Sequence, residues 1–345
     1  MAVIKPFKSI RPRKGLEDKI AALPYDVYNR SEAKQAVKDN PLSFLNIDRP
    51  ETQYDDDFDM YSDESYQTAA RLLDGMLERN EYIRDDKAYY YIYELTMNGR
   101  AQTGIVAVAS VDDYINETIK KHENTRADKE LDRIRHVDTL SAQTGPIFLA
   151  YKSNEAINSI VDKVKTTEPL YDFVSDDLIS HRVWIISDSD DISCIQDAFS
   201  TINSIYIADG HHRCASAVKV SLKRRQEKPD YTGDEEFNYF LSVLFPDNQL
   251  MIMDYNRVIK DLNGKTEAEI IDELKKVGTL DELNSDDKHP REKGDVSVYI
   301  GSKWYTLSFN DELMVDDPVE GLDVSILQNN VLKPVFGIID PKTDK

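Results

Sequence analysis

The chain has 345 residues, of which 40% are hydrophobic and 31% charged, and its formal net charge is -21. These proportions exclude a disordered chain and indicate a globular protein of one large domain or a few smaller ones. The acidic balance repels the nucleic-acid backbone, and no segment approaches about 18 uncharged apolar residues, so we expect neither nucleic acid nor membrane as a partner.

The N-terminus lacks the apolar run of a signal peptide. The two cysteines, Cys194 and Cys214, are too few for a disulfide scaffold, so we expect a cytoplasmic protein in which both are buried core residues.

Residues 22–27 read ALPYDV, in which Pro24 holds the preceding residue extended. Tyr25 and Asp26 either line a site, or Tyr25 packs while Asp26 caps a helix that begins near Ser31. The structural interpretation is slightly preferred.

Helical spacing of apolar residues predicts a helix over 65–80. Strand-like runs at 88–95 and 104–111 flank Asn98-Gly99, which is typical of a hairpin turn. Further on, the sequence predicts strands at 146–151, 181–187 and 204–208, and helices at 156–165 and 214–225.

Residues 238–245 and 250–258 are predicted to form a second hairpin. Thr266 and Glu269 have capping-box spacing, which predicts a helix over 266–277, and two strands follow at 295–300 and 304–309. Hairpins mixed with helices, without regular βαβ alternation, indicate an α+β fold with mixed sheets and packed helices.

The segment 205–213 is the most informative for function, because an apolar strand-like run breaks at Asp209-Gly210 and a helix-like run follows. His211, His212 and Arg213 then lie where a helix begins, a place that binds anions. Gly210 lets a phosphate approach the backbone, and Arg213 can bind it with two donors. The alternative is an ordinary strand-to-helix turn in which Asp209 is the cap.

Residues 120–136 form a basic segment in an acidic protein, and it includes Arg126 and Arg133. Glu123 lies among these cations, which favours its ionised form. It can accept a proton from a substrate hydroxyl or coordinate Mg²⁺. The alternative is a solvated helix face with salt bridges.

The six histidines include no pair at the i, i+4 spacing of a zinc site, and the chain has no GxxxxGK, GxGxxG or HExxH motif.

Five segments together resemble the prokaryotic family catalogued as domain of unknown function 1015. They are ALPYDV, NPLSFLNIDRP (40–50), KHENT (121–125) followed by Asp132-Arg133, GPIFLAY (145–151) and IADGHHR (207–213). Members of that family usually continue beyond the point that corresponds to the end of this chain, so we expect a further stretch after Lys345.

The DGHHR turn also resembles the superfamily that contains ParB-type nucleotide switches, sulfiredoxin and free-serine kinases. In the kinases this turn binds the nucleotide phosphates, and the glutamate of an upstream His-Glu pair acts on the substrate hydroxyl. The matching residues here are His122-Glu123 and Asp209 through Arg213, at a larger separation than in the compact kinases.

The differences within that superfamily separate its activities. Sulfiredoxin needs a cysteine two residues before the arginine of the turn, where this chain has His211, and Cys214 lies on the other side. The ParB-type proteins carry a helix-turn-helix, and none is evident here.

The resemblance therefore implies a kinase for a small alcohol, with L-serine as acceptor, ATP or ADP as donor and Mg²⁺ as the metal. Glu123 and Asp209 are the expected catalytic residues, with Asp209 positioning the nucleophile or binding the metal. Gly210, His211, His212, Arg213, Arg126 and Arg133 are expected to bind the nucleotide. The alternative function is a nucleotide-binding regulatory switch. We expect a ParB/sulfiredoxin-like core at 101–260, between α+β regions at 1–100 and 261–345.

Overall fold

The computed structural model describes residues 1–123, 125, 127–341 and 344. The chain divides into two compact units, Met1–Ile252 and Met253–Lys345, each with its own hydrophobic core. It is α+β with mixed sheets, hairpins and packed helices, as the sequence predicts. The predicted domain boundaries after residues 100 and 260 stay predictions.

The described residues contain strands of two to eleven residues. They are β1 (Ile4–Lys5), β2 (Ile10–Pro12), β3 (Tyr82–Arg84), β4 (Tyr90–Met97), β5 (Arg100–Ser110), β6 (Ile119–Lys120), β7 (Ile147–Tyr151), β8 (Tyr171–Val174), β9 (Ser180–Ile186), β10 (Ile205–Asp209), β11 (Tyr239–Pro246), β12 (Gly278–Glu282), β13 (Asp295–Ile300) and β14 (Lys303–Phe309).

The helices are α1 (Glu17–Ile20), α2 (Arg30–Val37), α3 (Leu45–Asp48), α4 (Asp63–Glu78), α5 (Val111–Ile115), α6 (Ala127–Leu140), α7 (Glu155–Lys165), α8 (Ser189–Ser200), α9 (His211–Glu227), α10 (Glu267–Val277), α11 (Asp323–Leu327) and α12 (Lys333–Phe336). No helix in the part of the chain that the structure describes is long and apolar enough to cross a membrane.

The first unit is built on a large sheet with the strand order β6-β10-β7-β11-β5-β4-β9-β8, and β1 pairs with β5. Strand β10 runs parallel to β6 and antiparallel to β7. The ends of β6 and β10 and the start of β7 therefore meet at one edge of the sheet. The candidate site lies at this edge.

Alternation along β7 shows why the sheet forms where the sequence predicts it. Ile147, Leu149 and Tyr151 are buried, whereas Phe148 and Ala150 between them are partly exposed. Every second residue of β7 is therefore part of the hydrophobic core of the first unit, together with apolar residues of α7 and α8 such as Ile157 and Phe199.

The hairpin of β4 and β5 confirms the prediction made from Asn98-Gly99. Met97 pairs with Arg100, and both turn residues have positive φ, 51° and 77°. Two left-handed residues in a two-residue loop match the right-handed twist of the flanking strands, and asparagine and glycine tolerate that conformation best.

The predicted helices at 65–80, 156–165, 214–225 and 266–277 correspond to α4, α7, α9 and α10. Thr266 accepts from the backbone N–H of Glu269, whose side chain accepts from the N–H of Thr266, so the capping box is confirmed. The predicted strands at 146–151, 181–187, 204–208, 295–300 and 304–309 are also confirmed, as β7, β9, β10, β13 and β14.

Three predictions from the sequence are wrong. Residues 250–258 form no strand, because β11 already pairs with β5 and β7 and has no free edge for a hairpin partner. Cys214 is buried as expected, but Cys194 is exposed. Asn29, not Asp26, caps α2, and it does so in a capping box with Glu32.

Candidate functional site

The turn between β10 and α9 has the conformation that its glycine allows. Gly210 is left-handed, with φ 92° and ψ 32°, and α9 begins at His211. Gly210, which has no side chain, occupies the N-cap position, so Asp209 does not cap the helix. The first backbone N–H groups of a helix have no partner within the helix, so this terminus has the properties of an anion site.

Arg213 folds back over this turn. Its Nη2 donates to Asp209 Oδ2 at 2.7 Å, and its Nη1 donates to the carbonyl oxygen of Pro146 at 2.6 Å. A Cβ atom on Gly210 would lie 3.2 Å from Arg213 Nε, and one on Gly145 would lie 3.3 Å from Nη1. Two glycines therefore leave the space that the guanidinium occupies.

Glu123 and His211 lie together because β6 and β10 are parallel neighbours and both residues follow their strand ends. The distance between Glu123 Oε2 and His211 Nδ1 is 3.8 Å, which is too long for a hydrogen bond. The ring of His122 meets the ring of His211 edge-on, with centroids 4.4 Å apart. The predicted His-Glu pair thus lies beside the turn.

His211 is 5% exposed, and its Nε2 has no hydrogen-bond partner among the described residues. Burial, helped by the neighbouring His122, lowers the pKa of His211. The imidazole is therefore neutral at pH 7, with one nitrogen that donates and one that accepts. Asp209, by contrast, has a side chain that is 68% exposed.

A cavity of about 470 Å³, here called cavity A, lies next to the turn. Arg213, Gly145 and Pro146 line it where it meets the turn, and α6 contributes Arg133 and His136. The other lining residues are Ala22, Leu23, Pro24, Tyr25, Phe44, Asp48, Tyr93, Leu95, Val137, Gln143, Thr144, Ile147, Phe148, Asp177, Ile179, His181 and Ala217. Most of this lining is apolar or aromatic, as in small-molecule sites.

Neither Glu123 nor His211 is among the described residues that line cavity A. Of the residues predicted to act, Arg213 and Arg133 line it. Arg213 therefore belongs both to the turn and to the cavity. The predicted residue Arg126 lies outside the described residues.

Arg133 has close partners. Its Nη2 lies 2.8 Å from Asp132 Oδ2 and its Nη1 lies 3.9 Å from Asp48 Oδ1, while Cζ lies 4.0 Å from the centre of the Tyr25 ring. Arg135, further along α6, pairs with Asp63. Part of the basic segment is therefore salt-bridged.

Sequence reasoning missed several residues of the cavity wall. For Tyr25 the packing alternative was slightly preferred, whereas the structure shows that it lines cavity A as well as stacking on Arg133. Gly145 and Pro146 belong to the GPIFLAY segment, so the family resemblance already pointed to this part of the chain. His181, hydrogen-bonded to Tyr93 at 2.7 Å, had no signal, because the sheet alone brings these residues together.

No three His, Cys, Asp or Glu side chains come together to hold a metal within the described ranges. The Mg²⁺ site expected at Asp209 stays a prediction; the carboxylate of Asp209 is 68% exposed, as a metal ligand would need, and it accepts from Arg213.

The chain belongs to the family described as "Protein of unknown function (DUF1015)". The match covers residues 4–325, which confirms the family predicted from the five segments. A search of curated proteins and a search of solved structures each found no match.

Proposed function

We propose that this chain is a small-molecule kinase that transfers a phosphoryl group from an adenine nucleotide to an alcohol. The acceptor that the resemblance implies is free L-serine, and the fold proposed for the catalytic region is a ParB/sulfiredoxin-like core. The observation that carries the proposal is the position of Arg213, which joins the N-terminus of α9, where a left-handed glycine is the N-cap residue, to a cavity of about 470 Å³.

The phosphates are assigned to the turn. The backbone N–H groups at the start of α9, behind the left-handed Gly210, supply donors, and Arg213 supplies a positive charge. Arg213 now donates to Asp209, so a phosphate would compete with that carboxylate or use Nε, which has no partner among the described residues. The base and ribose are assigned to cavity A, whose apolar and aromatic lining suits them.

Glu123 is assigned the role of general base. Its carboxylate would take the proton of the acceptor hydroxyl as the oxygen attacks the terminal phosphorus. The bond from phosphorus to the bridging oxygen breaks, and the nucleotide leaves with one phosphate fewer. His211 lies 3.8 Å from Glu123 and, being neutral, can hydrogen-bond to a phosphate oxygen or to the hydroxyl.

Mg²⁺ bound to the phosphates would neutralise the charge that develops during transfer. Asp209 is the residue assigned to it, since its carboxylate is largely exposed beside the turn. Arg213 would then exchange Asp209 for a phosphate oxygen.

The test is to incubate the purified protein with ATP or ADP, MgCl₂ and a panel of small alcohols that includes L-serine, and to detect phosphate monoesters by phosphorus NMR and mass spectrometry. We expect O-phosphoserine. Slow nucleotide hydrolysis without a phosphorylated acceptor would instead support the regulatory switch. No nucleotide binding at all would refute both functions.

Variants separate the assigned roles. Glu123→Gln should abolish turnover and leave the nucleotide Kd within about twofold, because only the base is lost. Arg213→Ala should weaken nucleotide binding by about 10- to 150-fold, the loss of one charge-assisted hydrogen bond. Glu155→Gln and Arg79→Ala, at exposed positions remote in sequence, are the matched controls and should behave as wild type.

A further inference from the structure

A second cavity, here called cavity B, has a volume of about 330 Å³ and a more polar lining than cavity A. It shares Tyr25, Asp48, Arg133 and His136 with cavity A. Its remaining lining residues are Asp26, Tyr28, Arg30, Arg49, Pro50, Glu51, Met60, Tyr61, Ser65, Tyr66 and Asp132. Nothing in the proposed function uses these eleven residues.

Two ion pairs account for much of the charge in this lining. Arg49 Nε donates to Glu51 Oε1 at 2.6 Å, and Arg133 pairs with Asp132 at 2.8 Å. Each pair is neutral overall, so the net charge of cavity B is set by its other charged residues.

Asp26, Arg30 and Asp48 are the charged lining residues outside these pairs, and Asp26 is exposed. Arg30 donates to the carbonyl oxygens of Phe58 and Asp55 and pairs with no carboxylate among the described residues. Asp48 Oδ1 lies 3.9 Å from a nitrogen of Arg133, which already pairs with Asp132. Outside its two ion pairs, cavity B therefore carries the positive charge of Arg30 and the negative charges of Asp26 and Asp48.

Buried polar atoms without hydrogen-bond partners are concentrated in the same lining. Among the described residues, Arg30 Nε, Asp48 Oδ1, Ser65 Oγ and His136 Nδ1 have none. Ser65 and His136 are almost fully buried, at 1% and 0% exposure. Such atoms cost free energy until a partner is supplied.

The chemistry of these atoms indicates what that partner is. His136 Nε2 lies 3.0 Å from the carbonyl oxygen of Ile47, which only accepts, so Nε2 carries the hydrogen. Burial, with the charge of Arg133, lowers the pKa of His136, so its Nδ1 is a bare acceptor. Asp48 Oδ1 is a second acceptor, and together they match an ammonium group; Arg30 Nε is a donor that matches a carboxylate.

We propose that cavity B binds a small zwitterion of the free amino acid class, with its ammonium group at Asp48 and His136 and its carboxylate at Arg30. L-serine, the acceptor in the proposed function, belongs to this class, but neither Glu123 nor Arg213 is among the described residues that line cavity B, so binding there is measured separately, without nucleotide or turnover. A kinase without this site, and this site without kinase activity, are separate experimental outcomes.

The probes are the twenty common L-amino acids, titrated by calorimetry into the whole chain without nucleotide. We expect at least one to bind. For the tightest, the amine that lacks its carboxyl group and the acid that lacks its amino group should each bind at least tenfold more weakly. Binding by none of the twenty, or equal binding of either analogue, would overturn the proposal.

Ser65→Ala and Ser221→Ala form a matched pair. Both serines are helical and 1% exposed, and both hydroxyls lack a partner among the described residues, but Ser221 lines neither cavity. Removing an unpartnered hydroxyl should leave the melting temperature unchanged or raise it in both variants. Only Ser65→Ala should weaken amino-acid binding, by about fivefold or more; equal affinities in the two variants would contradict the site.

Asp48→Asn keeps the size of the side chain and removes its charge. It should weaken binding of the amino acid at least tenfold and bring its affinity close to that of the analogue without an amino group. If this variant unfolds, the serine pair still decides the question. If it folds and binds as wild type, the ammonium assignment is wrong.

Discussion

Adding one methyl group to Gly210 perturbs both the backbone of the turn and the side chain that it supports. Gly210 has φ 92°, and a Cβ atom there would lie 3.2 Å from Arg213 Nε and 3.3 Å from Cζ. The left-handed backbone costs about 1–2 kcal/mol when alanine replaces glycine. The contact is tighter than an ordinary van der Waals contact, so the guanidinium must also move.

Gly233→Ala provides the control, because it introduces the same left-handed backbone strain but displaces no neighbouring side chain. Gly233 has φ 96°, and nothing lies within 4 Å of an added Cβ. In urea unfolding, Gly233→Ala should lose about 1–2 kcal/mol, and Gly210→Ala should lose at least as much. In calorimetry with ATP and Mg²⁺, Gly210→Ala should bind about tenfold more weakly, because displacing Arg213 weakens one charge-assisted hydrogen bond.

Gly233→Ala should bind the nucleotide as wild type does. The reasoning is refuted if the two variants have the same nucleotide affinity, because Arg213 would then contribute nothing that its displacement removes. The expected pattern is a loss of stability in both variants and a loss of nucleotide affinity in Gly210→Ala alone.

Three further outcomes follow from the geometry. Gly145→Ala, which places a Cβ 3.3 Å from Arg213 Nη1 without left-handed strain, should weaken nucleotide binding severalfold at nearly unchanged stability; calorimetry and thermal unfolding check this. The pKa of His136 is lowered by burial, so the unfolded chain takes up its proton first as pH falls, and stability present above about pH 6.5 is lost below it. His136→Gln should therefore flatten the dependence of the unfolding free energy on pH between 7 and 5, and an unchanged slope would assign that dependence to other groups. Tyr25→Leu should cost about 0.5–2 kcal/mol in chemical denaturation through loss of the ring contact with Arg133, while Tyr25→Phe keeps that contact and most of the stability.

Local signals in the sequence were enough to predict most elements. Helix α10 followed from the spacing of Thr266 and Glu269, and the β4–β5 hairpin followed from Asn98-Gly99. In each case the residues that decide the structure are close in sequence. The prediction for 250–258 failed because pairing also depends on which strand edges are free, and β11 has strands on both sides.

The candidate site also has a part that sequence motifs predict and a part that only the folded chain brings together. Glu123 and His211 were selected as a motif pair, and the parallel pairing of β6 with β10 explains why they are neighbours. Asp48 and Arg133 each lie in one of the five segments, but nothing in the sequence pairs those two segments, because the contact arises only when α3 and α6 meet in the folded chain. Cavity B, which depends on that contact, could not be predicted from the sequence.

The most direct measurement of the central claim is a crystal structure of the chain with a non-hydrolysable ATP analogue and Mg²⁺. We expect the phosphates on the backbone N–H groups at the start of α9, with Arg213 bonded to them and Glu123 beside the terminal phosphate. A nucleotide bound elsewhere, with Arg213 still paired to Asp209 and Pro146, would contradict the proposed kinase.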